Sequence, residues 1–276
     1  MTDRRTDPRP LLEVRGVSKT FPGVRALDDV RLTVRAGEVN ALCGENGAGK
    51  STLISILSGV ATPDAGEVLV DGRPLVHTPT GAIEAGIATI YQKRQFVPAL
   101  TVAENVMLGN WPTSGGFVSR RRMRKKALEA LREIAPHLDL DRLGRELSPA
   151  EAQELDIARA LSRDSKILIL DEPTTALSPP EVNRLLELVR KLRASGMGIV
   201  FVSHWLEEVL EIADRVTVLR DGRYVGEEPV EGLDAQTIIR MMVGREVKDV
   251  PIPERVIGET VLEVRHLSRL GSFNDV

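Results

Sequence analysis

Apolar and polar positions change period several times along this chain, and each change predicts an element. Residues 11–17 alternate, and Val30, Arg31, Leu32, Thr33 and Val34 alternate again after a turn, so both stretches read as half-buried strands. Residues 38–43 run apolar into a glycine-rich stretch, after which Leu53, Ile54, Ile56 and Leu57 take up helical spacing. Residues 66–70, the Asp71-Gly72 pair and residues 73–75 predict a strand, a tight turn and a return. Another short apolar strand is expected over 86–91. Beyond Thr101 a helix is expected over 127–138, with Leu128, Leu131, Ile134, Ala135 and Leu138 on one face, and 150–161 continues helical. Strands over 167–170, 199–202 and 216–219 then alternate with helices. The first of these helices opens at Ser178-Pro179-Pro180-Glu181, where a capping serine, a first-turn proline and a glutamate three residues on form a start signal. Its inner stripe is Val182, Leu185, Leu186, Val189 and Leu192, and Gly196 ends it; the second covers 206–213.

The alternation predicts an α/β core with a mostly helical insertion over about 93–163. A repeat marks the end of the chain. Residues 261–269 (VLEVRHLSR) echo 11–19 (LLEVRGVSK), and Asn274-Asp275-Val276 echoes Asp28-Asp29-Val30 after a shorter turn. The expected organisation is a polar, disordered lead-in over 1–10, a main domain over 11–248, a linker over 249–258 containing Pro251, Pro253 and Gly258, and a truncated second copy over 259–276.

The glycine-rich stretch carries the strongest chemistry. Gly44-Glu45-Asn46-Gly47-Ala48-Gly49-Lys50-Ser51-Thr52 matches G-x-x-x-x-G-K-[ST] and lies between a predicted strand and a predicted helix, the context that makes it a P-loop. Glycines let backbone N–H groups curl around phosphate oxygens, and the helix N-terminus favours negative charge. Lys50 reaches the β- and γ-phosphates and the Ser51 hydroxyl ligates Mg²⁺, so a nucleoside triphosphate is the expected ligand. Downstream, the apolar run 167–170 delivers Asp171 and Glu172 to a strand end that faces the phosphates in a P-loop fold. Asp171 is expected to help hold Mg²⁺, and Glu172 to orient and deprotonate the attacking water.

Bulk properties narrow the setting. The 276 residues are 42% hydrophobic and 28% charged, ordinary for a globular chain with a full core. A net charge of −3 argues against nucleic-acid binding by bulk electrostatics. No window approaches the roughly 18 apolar residues of a membrane span, and the first ten residues lack the apolar segment of a signal peptide. The single cysteine, Cys43, excludes an internal disulfide and reads as a small buried hydrophobe in a reducing compartment. Arg120, Arg121, Arg122, Arg124, Lys125 and Lys126 invite a lipid or nucleic-acid reading, but without interleaved aromatics they read as a solvated helical face.

These motifs, in this order, resemble the nucleotide-binding domain of ATP-binding cassette (ABC) transporters, over residues 11–248. The segments 37–47 and 100–106 are most similar to the carbohydrate-importer branch, whose ATPases carry two cassettes per chain. The resemblance implies a P-loop NTPase core of ABC type with an antiparallel β subdomain and a helical insertion. It implies ATP and Mg²⁺ as ligands, with Phe21 stacking on adenine, Gln92 sensing Mg²⁺ beside Ser51 and Asp171, and His204 contacting the γ-phosphate. Glu172, Lys50, His204 and Gln92 would then form the catalytic set. Where the family reads L-S-G-G-Q, this chain has Leu147-Ser148-Pro149-Ala150-Glu151. That segment would complete a partner cassette's site, and here Pro149 removes an N–H and Glu151 brings a negative charge towards a polyphosphate. The switch loop reads Thr175-Ala176-Leu177-Ser178, where many cassettes end in aspartate. The implied role is to energise import of a sugar or similar small polar solute at the cytoplasmic face of the membrane. The implied partners are permease subunits, a second cassette and, indirectly, an extracytoplasmic solute-binding protein; no nucleic acid is expected. A nucleoside importer, or a soluble ABC ATPase acting on ribosomes or DNA, stays open as an alternative, as does an inactive fragment.

Overall fold

The computed structural model describes residues 10–92, 95–132, 134–244, 258 and 261–275. The expected lead-in apart from Pro10, the linker apart from Gly258, and the expected start of the insertion at residue 93 lie outside these residues. Two units separate by contact, residues 1–246 and 247–276.

In the first unit, β1 (Pro10–Phe21) and β2 (Val24–Arg35) form a long antiparallel hairpin, and β3 (Val39–Cys43) leads through the P-loop into α1 (Lys50–Leu57). The strand β4 (Ala65–Val70) pairs with β1, turns at Asp71-Gly72 and returns as β5 (Arg73–Pro74). Next come α2 (Pro79–Glu84), β6 (Ile87–Ile90) and α3 (Val102–Val106). A small hairpin of β7 (Thr113–Ser114) and β8 (Phe117–Val118) precedes α4 (Arg120–Leu131) and α5 (Pro149–Leu161). The chain then alternates β9 (Ile167–Asp171), α6 (Pro179–Ala194), β10 (Gly198–Val202), α7 (Leu206–Ile212), β11 (Arg215–Arg220), β12 (Arg223–Pro229) and α8 (Ala235–Val243).

Ten strands make one sheet in the order β5-β4-β1-β2-β12-β11-β3-β10-β9-β6. The half containing β11, β3, β10, β9 and β6 is parallel, and the hairpin half is antiparallel. Strands β3 and β10 are buried at every position, which explains their apolar runs, broken in β3 only by the buried Asn40; β1 and β2 alternate because one face is wet. One apolar cluster packs the helical insertion and α6 on one face of the sheet, centred on the fully buried Phe201; a second joins α1 to the hairpin half.

The insertion differs from expectation in register. The helix begins at Arg120 and stops at Leu131, so it buries Met123, Ala127 and Leu131 at four-residue spacing. Leu128 points outward and is 60% exposed, while Ile134, Ala135 and Leu138 reach the core from turns beyond the helix end. The basic run forms the exposed first turns of this helix; Arg124 pairs with Asp141, and Lys125 lies 3.9 Å from Glu129.

The second unit has no strand of its own among the described residues, only a bridge between Arg269 and Phe273. Its turn nevertheless repeats the local geometry of the first hairpin. Gly16 and Asp29 have φ of +61° and +52°; His266 and Asp275, their counterparts in the repeat, have +55° and +51°. The Ser18 hydroxyl accepts the Asp29 N–H at 3.0 Å, and the Ser268 hydroxyl accepts the Asp275 N–H at 2.8 Å.

Candidate nucleotide site

The parallel strands β3, β10, β9 and β6 end along one edge, and the candidate chemistry gathers there. Cys43 closes β3, and burial pushes its thiol up to about 12, so it is an inert part of the core. The P-loop follows with Glu45, Asn46 and Gly47 exposed and Ala48 buried. Two glycines are dictated by close approach. A Cβ at Gly44 would lie 2.5 Å from the Leu219 carbonyl oxygen. At Gly49, φ is +102° and a Cβ would lie 2.8 Å from the Ala26 carbonyl oxygen. That contact sets β2 against the loop, so the hairpin carrying Phe21 abuts the nucleotide loop. Phe21 sits at the end of β1, 45% exposed, with the Lys19 ammonium 5.7 Å from its ring centre.

Lys50 is buried, and its ammonium donates to the carbonyls of Gly44 (2.6 Å) and Glu45 (3.0 Å). Ser51 and Thr52 occupy the first turn of α1, Ser51 exposed. At the end of β9, burial raises the Asp171 carboxyl above the usual range; the neighbouring Glu172 charge adds to this and Lys50 opposes it. Burial in a fixed position beside another carboxylate is the setting in which a divalent cation is most favourable. Among the described residues no group of three or more His, Cys, Asp or Glu is arranged to hold a metal alone. The hard oxygens of Ser51 and Asp171 therefore suit Mg²⁺ completed by phosphate and water.

Glu172 is where three predicted residues meet. The Gln92 amide donates to its Oε2 at 3.0 Å, and His204 Nδ1 lies 3.6 Å from its Oε1. Its N–H donates to the Val202 carbonyl at 2.9 Å, tying β9 to β10 one residue beyond the ladder. Glu172 also adopts φ +48°, a left-handed conformation that costs a non-glycine residue of order 1 kcal/mol and concentrates at functional sites. His204 is half-exposed and tilts against Trp205, with ring centres 5.1 Å apart. This arrangement gives a carboxylate with one oxygen held by an amide and the other open beside an imidazole, next to a phosphate-binding loop.

The segment 147–151 lies elsewhere: among the described residues no hydrogen bond or ion pair joins it to 44–52. Ser148 is the N-cap of α5 and Pro149 its first residue, a position whose N–H has no helical partner anyway, so the proline costs the helix nothing. The negative charge expected of Glu151 meets a cation inside the fold. Arg142 grips its carboxylate with both Nη atoms (2.5 and 2.9 Å), and the Ser148 N–H donates to it at 2.7 Å. The Arg142 hydrogen bond, helped by the Ser148 N–H, pulls the Glu151 carboxyl down to about 2. Arg142 has no periodic signal, being nine residues upstream in a loop; only the S-x-x-E spacing was readable. In the switch loop, Ser178 gives its hydroxyl and N–H to Glu181 (2.6 and 2.7 Å), so it caps α6. Glu208 is a further residue without local signal: its Oε2 accepts hydrogen bonds from the hydroxyls of Thr174 and Ser203.

The family model described as ABC transporter matches residues 27–175. Over 98% of its length the chain is 47% identical to the ribose import ATP-binding protein RbsA 2 of Streptomyces avermitilis. It is 49% identical, over 97% of its length, to RbsA 1 of Rubrobacter xylanophilus. In each case it covers 54% of the relative, so the chain spans about half the length of the curated relatives it matches. Among solved structures, it is similar to an ATP-binding cassette of an ABC transporter in its ADP conformation (TM-score 0.74, 26% identity, 86% of this chain and 100% of the other). It is also similar to a dimeric cassette in a post-hydrolysis state bound to ADP and Pi (TM-score 0.69, 29% identity, 80% and 100%). With the P-loop, the Asp171-Glu172 pair and the helical insertion in their places, this chain belongs to the ABC transporter family.

Proposed function

We propose that this chain binds MgATP on its P-loop and hydrolyses it, with Glu172 as base toward the attacking water, to energise import of a sugar. The observation that carries the reading is the convergence of Gln92 and His204 on a backbone-strained Glu172, next in sequence to the Asp171 that faces Lys50. The sugar is supported by relatives named as ribose import proteins.

Backbone N–H groups of the P-loop and the Lys50 ammonium would cradle the phosphates. Ser51 and Asp171, with the Gln92 amide oxygen, would hold Mg²⁺, which when bound neutralises charge on the β- and γ-phosphate oxygens. Glu172 takes the proton of water as it attacks in line, and His204 steadies the γ-phosphate. Phe21 offers the adenine a face at the hairpin edge.

The chain would work as one of two cassettes at the cytoplasmic face of the membrane, its signature segment completing the other's site; among its described residues no helix is long and apolar enough to cross a membrane. Residues 259–276 open the second cassette, a reading supported by the repeated turn geometry at Ser18/Asp29 and Ser268/Asp275. A groove of about 440 Å³ lined by Tyr91, Gln95, Leu108, Asp156, Arg159 and Arg163 adjoins Gln92 and is the surface for a permease subunit, which a solute-binding protein would load from outside. In a phosphate-release assay, Glu172→Gln is expected to lower turnover at least about 100-fold while MgATP affinity stays within about threefold. Equal turnover in variant and parent would remove Glu172 from the chemistry.

A further inference from the structure

Glu172 and His204 leave adjacent parallel strands, where Asp171 pairs with Val202. One backbone bond, from Glu172 N–H to the Val202 carbonyl, extends the ladder past the strand ends, and beyond it the two loops have no further ladder to hold them in register. Two hydroxyls continue the connection. Thr174, two residues after Glu172, and Ser203, one before His204, are both buried, at 4% and 3% exposure. Thr174 Oγ1 donates to Glu208 Oε2 at 2.9 Å, and Ser203 Oγ donates to the same oxygen at 3.0 Å. Ser203 Oγ in turn accepts the Trp205 N–H at 3.0 Å, which fixes the backbone on the far side of His204.

We infer that Glu208 is a positioning residue for hydrolysis: one carboxylate oxygen in the first turn of α7 pins the loop behind Glu172 to the loop carrying His204. The inference rests on the roles given to Glu172 and His204 above. Its physical basis is twofold. A residue held at φ +48°, as Glu172 is, persists only when its surroundings over-determine it, and the Thr174–Glu208 bond constrains the segment immediately following. The 3.6 Å separation of His204 and Glu172 also depends on both loops, and a displacement of about 1 Å in a reacting constellation can cost on the order of 100-fold in rate. Glu208 itself touches neither group, so its effect falls on turnover and not on nucleotide affinity.

The test compares Glu208→Ala with Glu208→Gln in the full chain. Glutamine keeps a carbonyl oxygen that accepts both hydroxyls; alanine leaves two buried donors without an acceptor. Glu208→Ala is expected to lower kcat at least about tenfold with KM for ATP within about threefold, and Glu208→Gln to stay within about threefold of the parent in both. Amide exchange, read independently of turnover, should speed up in Glu208→Ala over residues 172–175 and 203–205, and remain protected in Glu208→Gln. The paired variant Thr174→Val with Ser203→Ala removes the same two bonds, together with the acceptor of the Trp205 N–H. Adding Glu208→Ala to it should change kcat no further. Unchanged kcat or unchanged exchange in Glu208→Ala overturns the inference, and so does a fall in apparent kcat that is fully accounted for by a smaller fraction of folded protein. Glu172→Gln is run beside them. If it turns over like the parent, the hydrolytic reading fails; if it is inactive while Glu208→Ala is not impaired, only the brace fails.

Discussion

The nucleotide loop and the start of α5 both carry charged residues at a helix N-terminus, and they treat that charge in opposite ways. Around the P-loop, the Asp171 carboxyl is raised by burial and by Glu172, and the Lys50 ammonium donates to carbonyl oxygens of its own loop. Charge there is held ready for a ligand. At α5, Glu151 is gripped by Arg142 and by the capping bonds of Ser148, and its charge is satisfied inside the fold. Reading charge from sequence treats the two alike; geometry separates a charge that acts outward from one that closes a helix.

The sharpest way to break the contrast is at Lys50. Lys50→Ala removes the one buried cation of the loop and is expected to weaken MgATP binding at least about 100-fold, since each charge-assisted bond contributes about 1.5–3 kcal/mol. Titration calorimetry with ATP checks it, and near-parent affinity would mean that the loop backbone suffices. Arg142→Ala should leave ATP affinity at this chain's own P-loop unchanged and instead lower unfolding free energy by about 1–2 kcal/mol. Combining it with Glu151→Gln should recover much of that loss, because the orphaned charge goes too.

The pH dependence sharpens the same pair. The Glu151 carboxyl is depressed from 4.5 to about 2 in the folded chain. Its contribution is therefore complete above about pH 4.5 and is lost as pH falls toward 2. Urea melts of parent and Arg142→Ala should show a gap that is constant from neutral pH down to about 4.5 and closes below it. A gap that closes near pH 7 would assign the stabilisation to another group. The smallest expected effect is at Leu128, on the outward face of α4. Leu128→Ser should change stability by less than about 0.5 kcal/mol, whereas Leu131→Ala should cost about 2–5 kcal/mol in the same melts.

Elements with two-sided burial or strict alternation were legible: β3, β9 and β10 as apolar runs, β1 and β2 as alternating ones, α6 through its start signal. The short helices α2 and α3 were not, because five or six residues cannot display a helical period. At α4 the period was present but followed too far, because Ile134, Ala135 and Leu138 are buried without being helical and made Leu128 look like their neighbour. The P-loop and the Asp171-Glu172 pair were readable because each is contiguous in sequence. The bond between Gln92 and Glu172 spans 80 residues; likeness to a family singled out Gln92 as a Mg²⁺ sensor but not this bond. Arg142 and Glu208 had no such pointer; loop and first-turn charges look alike until their partners are known.

The bond from Gln92 to Glu172 Oε2 has a consequence for when the chain can run. Gln92 follows Tyr91 on the wall of the groove and is three residues from Gln95, which also lines it. An occupant of that groove, as proposed above, would bear on the strand end that holds Gln92, and so on the amide that occupies the carboxylate. While that amide is engaged, one of the two Glu172 carboxylate oxygens is taken. On the function proposed above, a single side chain would then link an event at the groove to the carboxylate that serves as base.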